Sequence, residues 1–232
     1  MKKHYSEEYS VRTLIENYCT DEWKFLIKEN EERITYPKGV MIFKEGEIAK
    51  RIKIVEKGKV KVHSTIDSEN EQILRLAADK QILGHRAFGG DFKYSVSATT
   101  LTECVIVNIP LKLFLSILKA NNTFCYHFMM FFAEELKNTE QHIKLNGAKN
   151  LHQRVAAAIL DNLTAFGYDI VDKKTLAFTL SRKDFASLSN TTYESVVRTL
   201  KTFNDMGLVK IKNKQLEILD EEKLIKISTL NY

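Results

Sequence analysis

Apolar positions recur with different periods along the chain. Between residues 11 and 33 they follow helical spacing, which predicts one or two short helices. From about residue 34 to 110 short runs alternate between apolar and polar positions and are broken by glycine, as at 40–43, 51–55, 59–62, 72–76 and 104–109. Short strands separated by turns indicate an antiparallel sandwich or barrel.

Helical spacing returns after Pro110. It predicts a short helix over residues 111–119 and a long helix that follows the cap region at 121–123. The long helix carries an apolar stripe at steps of three and four, broadened by one further phenylalanine: Phe124, Phe128, Phe131, Phe132, Leu136, Thr139 and Ile143. Such a stripe must be covered, and spacing alone leaves two coverings open, the chain's own β-domain or a second copy of the chain.

A stop signal, Asn146-Gly147, ends the long helix, and a further helix is predicted over residues 151–166. We therefore expect a domain boundary near residue 147. The predicted organisation is a β-rich domain with N-terminal helices over 1–120, a long helix over 121–146 and a C-terminal domain over 147–232.

Two short helix patterns separated by a tight turn follow residue 180. Ser181 and Asp184 have the spacing of a capping box for the first helix, and Thr191 and Glu194 repeat that spacing for the second. Asn190 tolerates the left-handed conformation that such a turn needs. Two short capped helices joined in this way are typical of a helix-turn-helix.

A basic hairpin is predicted behind the second helix. Residues 208–212 and 216–219 have strand patterns, and Asn213-Lys214 lies between them as a turn. The chain as a whole has a formal net charge of +5 and a pI near 8.9, but residues 181–214 alone hold seven basic and three acidic side chains. Local excess positive charge is what binding to a phosphate backbone requires.

The second helix of the pair also presents Tyr193, Glu194, Arg198 and Lys201. Glu194 and Arg198 are four residues apart, so one interpretation is a surface ion pair. The other is that both side chains reach base edges in the major groove, the arginine on guanine and the glutamate on cytosine.

Other functional classes find little support in the sequence. The three cysteines, Cys19, Cys104 and Cys125, have no zinc or iron–sulfur spacing, and we expect reduced thiols in a cytoplasmic protein. We expect neither a leader nor a membrane span, because no apolar region follows the basic residues at 2–4 and no apolar stretch reaches the length of a span. No P-loop, serine-hydrolase elbow or zinc-peptidase motif is present either, so an enzyme is not expected. A signalling module that contacts protein instead of DNA stays open as the alternative.

The chain resembles the Crp/Fnr family of bacterial regulators. Residues 180–186 (LSRKDFA) and 194–200 (ESVVRTL) resemble that family's helix-turn-helix, and residues 38–47 (KGVMIFKEGE) and 55–62 (VEKGKVKV) resemble its cyclic-nucleotide-binding β-roll. The resemblance extends from about residue 20 to 220. It implies an α+β fold with an N-terminal antiparallel β-roll, a long dimerisation helix and a C-terminal winged helix-turn-helix.

The resemblance also implies partners and contacts. The partners would be a second copy of the chain through the long helix, double-stranded DNA with a palindromic site, and RNA polymerase. Glu194 and Arg198 match base-reading positions, while Tyr193 stands where the cyclic-AMP receptor branch has an arginine. The full set of expected DNA contacts is Ser181, Arg182, Thr191, Thr192, Tyr193, Glu194, Arg198, Lys201, Lys212 and Lys214.

The nucleotide pocket departs from the family pattern. Gly84 is kept, but His85 replaces the glutamate of the phosphate cassette and no Arg-Ser/Thr-Ala follows. We therefore do not expect cyclic AMP to bind in the family's usual way. The candidate effector residues are Gly84, His85, Arg86, Lys93, Tyr94 and Ser95.

Two interpretations of this segment stay open, and neither identifies an effector. The favoured one is a cassette filled by its own side chains, for which Phe88, Phe92 and Tyr94 are available. The other is a pocket for a different anion that uses Arg86 and Lys93 as cationic groups. His85 and His63 are possible ligands for haem or a metal, but a lone histidine is more often structural, so no cofactor or metal is assigned.

Overall fold

The computed structural model describes residues 10–65, 71–147 and 149–229, with the side chains of 142–147 excepted. Its internal contacts divide the chain into two compact units. The first consists of Met1–Thr65 and Ala77–Asn138, and the second of Ile66–Leu76 and Thr139–Tyr232. The long helix passes through this division. None of the helices within the described ranges is long and apolar enough to cross a membrane.

The elements follow the order expected from the hydrophobic pattern, apart from a last helix over residues 221–229 that was not predicted. The helices are α1 Val11–Tyr18, α2 Asp21–Asn30, α3 Leu111–Ala120, α4 Asn122–Gly147, α5 Leu151–Phe166, α6 Arg182–Leu188, α7 Tyr193–Asp205 and α8 Glu221–Thr229. The strands are β1 Glu32–Tyr36, β2 Met41–Phe43, β3 Arg51–Lys57, β4 Val60–Thr65, β5 Glu71–Ala77, β6 Ile82–Leu83, β7 Ser97–Thr100, β8 Cys104–Pro110, β9 Val209–Lys212 and β10 Gln215–Ile218. A 3-10 turn, His85–Phe88, follows β6.

The strands of the N-terminal half form two four-stranded sheets, in the orders β1-β8-β3-β6 and β2-β7-β4-β5. Because neighbouring residues of a strand point to opposite faces, β3 contributes to two cores. Ile52 and Ile54 pack with the helices of the first unit, whereas Val55 packs with Val62 and Ile106 inside the roll. The α+β architecture with a β-roll, predicted from alternation and from the family resemblance, is confirmed.

Part of the predicted aromatic stripe on α4 is covered by the first unit itself. Phe124, Phe128 and Phe131 are only 0%, 5% and 8% exposed and belong to the same core as α1 and α3. Phe88 and Phe114 contact them edge-on or tilted. Of the two coverings that spacing left open, the chain's own β-domain takes these three side chains, and they are not available to a partner.

The remaining members of the stripe divide between the two sides of the helix. Phe132 is partly buried against the same core and Thr139 is half-buried, whereas Leu136 is 61% exposed. The side chain of Ile143 lies outside the described part of the structure. The stripe predicted from the sequence therefore combined residues from two faces of α4, because both faces of this helix are apolar.

The outward face of α4 carries a second apolar row. Tyr126, Met129 and Leu136 are 55%, 57% and 61% exposed, and the exposed Ala133 lies between them. Their spacing of three, four and three residues is that of the apolar positions of a coiled coil. We call Tyr126, Met129, Ala133 and Leu136 the outward stripe.

Candidate nucleic-acid interface

The first helix of the predicted pair, α6, begins at the N-cap residue Ser181. The Ser181 hydroxyl accepts a hydrogen bond from the Asp184 backbone N–H at 3.0 Å and donates to its carboxylate at 2.5 Å. Phe185 and Ala186 are buried on the inner side of the helix. The Ser181–Asp184 cap predicted from the sequence is confirmed.

The turn after α6 depends on Asn190, which has a φ of +48°. The left-handed residue predicted for this turn is therefore confirmed. The cap of the second helix lies one residue later than predicted. The side chain of Thr192, and not that of Thr191, accepts the hydrogen bond from Ser195 N–H at 3.2 Å. Thr191 instead donates its backbone N–H to the Ala186 carbonyl at 3.0 Å, which makes it part of the turn.

The second helix, α7, has one face in the core and one face in solvent. Val196, Thr199, Leu200 and Phe203 are buried. Opposite them, the side chains of Tyr193, Glu194, Val197, Arg198 and Lys201 are exposed. We call these five residues the reading face. The sequence identified every one of them except Val197.

Glu194 and Arg198 remain open to an outside ligand. Within the described part of the chain they do not form an ion pair with each other, although their spacing of four residues permits one. An acceptor and a five-donor fork therefore stand side by side on the helix surface. This arrangement matches the base-reading interpretation of the two residues better than the ion-pair interpretation.

Helix α5 holds the helix pair in place through two polar side chains that the sequence did not single out. Arg154 donates from Nε to the carbonyl of Ser189, the residue that caps the end of α6, at 3.0 Å. Asn162 is fully buried and bridges two backbone groups, because it donates to the Phe178 carbonyl at 2.8 Å and accepts from Leu180 N–H at 3.1 Å. The sequence does contain one signal for Asn162. It is a polar residue seven positions after Val155, so it lies on the core face of α5.

The wing is the two-stranded β9–β10 hairpin, as predicted. Asn213 and Lys214 form its turn, and both have positive φ, of 49° and 69°. This conformation matches the strand twist but is unfavourable for a lysine. The predicted contact residues Lys212 and Lys214 are exposed together with Lys210, so the wing presents three cationic groups to solvent.

A groove of about 370 Å³ separates the reading face from the wing. It is lined by Arg182, Val197, Leu200, Lys201, Asn204 and Ile211. The guanidinium of Arg182 is half-buried there, and this burial lowers its pKa, while the Tyr193 hydroxyl opposes the shift. Because arginine stays protonated in proteins, the groove holds two cations, Arg182 and Lys201.

The candidate effector residues of the first unit do not converge on one space. Tyr94 is 5% exposed and stacks on Phe43 with ring centroids 4.0 Å apart. Its ring lies against Gly84, where an added Cβ would come within 2.4 Å of it. Burial, reinforced by the negative charge of Glu47, raises the pKa of Tyr94 to about 12. A neutral tyrosine therefore packs directly against Gly84.

The other candidates point elsewhere. His85 is 3% exposed, with its Nε2 3.4 Å from the Glu135 carboxylate on α4 and its ring edge-on to Phe131 and Phe132. Arg86 approaches the same carboxylate at 3.7 Å. The remaining two, Lys93 and Ser95, are exposed.

Comparisons with known proteins agree with this geometry. Residues 33–121 match the family described as cyclic nucleotide-binding domain, and residues 153–227 match the Crp-like helix-turn-helix domain. The chain belongs to the Crp/Fnr family of transcriptional regulators. Its C-terminal part is a DNA-binding helix-turn-helix of that family.

Individual relatives of this family member are distant. The Electron transport regulator A of Shewanella oneidensis is 24% identical over 84% of this chain and 77% of its own length. The CRP-like cAMP-activated global transcriptional regulator of Mycobacterium tuberculosis is 24% identical over 82% of this chain and 85% of its own. The structure of FixK2 from Bradyrhizobium japonicum has a TM-score of 0.76 at 18% identity, over 87% of this chain and 99% of that one, which shows a shared fold.

Proposed function

We propose that the chain is a sequence-specific transcription regulator that binds palindromic promoter sites as a homodimer. The observation that carries the proposal is the reading face, where Glu194 and Arg198 are exposed and unpaired with each other on a helix fixed by its cap and core. Arginine donates two hydrogen bonds to guanine O6 and N7, and glutamate accepts one from cytosine N4. The wing lysines supply the contacts to phosphate.

Selection of duplexes from a random library by the full-length protein tests this function. We expect a dyad-symmetric motif whose half-sites lie about one helical turn, roughly 34 Å, apart. Each half-site should contain a G·C pair that loses its preference in Arg198→Lys, because lysine keeps the charge but not the bidentate fork. Lys212→Ala is the matched control, since it should weaken binding to all sequences alike.

Salt dependence separates DNA binding from the alternative of a protein-binding module. Contacts to phosphate give a steep decrease of affinity with salt, by about 0.9 logarithmic units of the binding constant per tenfold increase in salt for each phosphate neutralised on B-DNA. A flat dependence, or a selected motif without dyad symmetry, would contradict the proposal.

We place the dimer contact on the outward stripe. The buried phenylalanines of α4 already have a covering, while Tyr126, Met129, Ala133 and Leu136 lie exposed at coiled-coil spacing. Two such helices, one from each copy, would bury these rows against each other.

The oligomeric state tests this placement. Leu136→Glu should shift the protein toward the monomer in sedimentation velocity, because it places a charge in the apolar row. Leu26→Glu is the matched control, since Leu26 is 40% exposed on the helix α2. An unchanged dimer in Leu136→Glu would exclude the outward stripe as the interface.

We also propose that cyclic AMP does not control this regulator in the family's usual way. Two features support this: Tyr94 packs against Gly84 where the cassette begins, and His85 and Arg86 approach Glu135 instead of a free space. Calorimetric titration of the protein with cyclic AMP should give no binding heat, and micromolar binding would overturn the statement.

RNA polymerase and a cytoplasmic location complete the proposal, since promoter DNA and polymerase share that compartment in bacteria. Transcription in vitro from a promoter that holds the selected site should change when the protein is added. Arg198→Lys should weaken this effect in proportion to its loss of site affinity.

A further inference from the structure

Val197 is an apolar side chain in a position that the core does not use. It is 41% exposed in the middle of α7, whereas its neighbour Val196 is fully buried. Packing within the unit therefore does not account for a β-branched residue here. β-branched residues are also weaker helix formers than alanine or the long polar side chains usual at exposed positions.

Helical geometry arranges the reading face in two rows. Glu194 and Arg198 form a polar row one turn apart. Beside it, Tyr193, Val197 and Lys201 form a second row at the same spacing. Val197 thus lies next to the proposed base-reading pair and also lines the groove toward the wing.

The chemistry of base edges limits what Val197 can face. In the major groove the edges present hydrogen-bond donors and acceptors and, on thymine alone, a C5-methyl group. A valine opposite a donor or acceptor would exclude water without replacing its hydrogen bond, which is unfavourable. Opposite a thymine methyl it removes apolar surface from water on both sides.

We propose that Val197 is a specificity-determining residue that contacts the C5-methyl group of a thymine beside the G·C pair read by Glu194 and Arg198. The inference rests on the proposed function and names a further base within the half-site. It predicts a preference for thymine that depends on the methyl group and not on base pairing.

Deoxyuridine isolates this group, since it pairs as thymine does and lacks only the methyl. The probe is the duplex selected by the full-length protein, with each thymine replaced in turn by deoxyuridine in both half-sites. Removing one buried methyl per half-site should weaken binding about 4-fold, and about 15-fold when both half-sites are changed. We expect this loss at one thymine of the half-site next to the G·C pair.

Variants assign the effect to the residue. Val197→Ser should bind the thymine and deoxyuridine duplexes equally at that position, because its contact with the methyl is gone. Val197→Ile keeps an apolar side chain and should keep the discrimination. Val171→Ser is the matched control, since Val171 is 91% exposed in a turn and is not part of the reading face, and its change should leave the 15-fold ratio intact.

Each experimental outcome leads to one conclusion. A dyad site whose thymines all tolerate deoxyuridine would overturn the Val197 inference alone. The same conclusion follows if Val197→Ser retains the full discrimination, because another side chain then holds the methyl. Failure of the wild-type protein to select any duplex would instead overturn the proposed function, and the inference with it.

Discussion

Replacing Gly84 by alanine measures how tightly Tyr94 packs against it. Gly84 has a φ of +70°, and an alanine Cβ would come within 2.4 Å of Tyr94 Cε1. The left-handed conformation costs about 1–2 kcal/mol for an L-residue. Overpacking against the ring adds about 1–3 kcal/mol. We therefore expect Gly84→Ala to lower the free energy of unfolding of the first unit by about 2–5 kcal/mol.

A double-mutant cycle separates the two contributions. Tyr94→Ala alone should cost about 3–5 kcal/mol, because it removes a buried aromatic ring that stacks on Phe43. In Gly84→Ala/Tyr94→Ala the new Cβ no longer meets the Tyr94 ring, and the one remaining close atom is Phe43 Cζ at 3.3 Å, so most of the overpacking cost disappears. The loss of unfolding free energy in the double variant should therefore be smaller than the sum of the two single losses, by about 1–3 kcal/mol.

Urea unfolding followed by tryptophan fluorescence provides the assay. Trp23 is the single tryptophan of the chain and packs on the core of the first unit, so its signal reports that unit. Gly90→Ala is the matched control, since Gly90 has a φ of +71° and open space around its Cβ position. It should cost only about 1–2 kcal/mol.

The outcome that would refute this reasoning is equal destabilisation by Gly84→Ala and Gly90→Ala together with additivity in the cycle. The ring of Tyr94 would then not occupy the space beside Gly84, and the cassette would not be filled by this side chain. A clear coupling would support it, independently of any ligand titration.

Three further results are expected. Lys214→Gly should stabilise the second unit against urea by about 1 kcal/mol, by relieving a φ of +69°, and should reduce the salt slope of DNA binding by about 1 per protomer. Asn162→Ala should lower the free energy of unfolding by about 2–5 kcal/mol, because it leaves two backbone groups without their partner; calorimetry would measure this. At pH 8 a thiol reagent should react rapidly with the exposed Cys125 and slowly with the buried Cys19 and Cys104. Burial raises the pKa of Cys19 to about 11, so the thiolate fraction of Cys19 stays small until more alkaline pH.

Features governed by local sequence were predictable. Alternation located the strands, and the capping box at Ser181 with the left-handed Asn190 located the helix pair. Local rules were insufficient where two neighbouring residues satisfy them equally. Thr191 and Thr192 both suit a cap, and the start of α7 follows from which of its residues are buried, such as Val196 and Phe203.

Features governed by tertiary contacts were not predictable. The period of α4 showed an apolar stripe but not that the helix is apolar on two faces, so Phe128 and Leu136 were grouped although one is buried and the other exposed. The polar bridge of Asn162 joins residues 16 and 18 positions away. Family resemblance placed the effector candidates by position, but His85 contacts Glu135 instead.

The division of α4 into an inner aromatic face and an outward methionine-containing face bears on gene dosage. Because the phenylalanines are buried within one copy, a subunit of the proposed homodimer would keep its folded core on separation, unlike a subunit of an obligate dimer. If the proposed homodimer assembles reversibly on promoter DNA from such subunits, the occupied fraction of sites at low abundance rises with the square of the protein's concentration. A modest change in synthesis or degradation of this regulator would thereby produce a larger change in transcription.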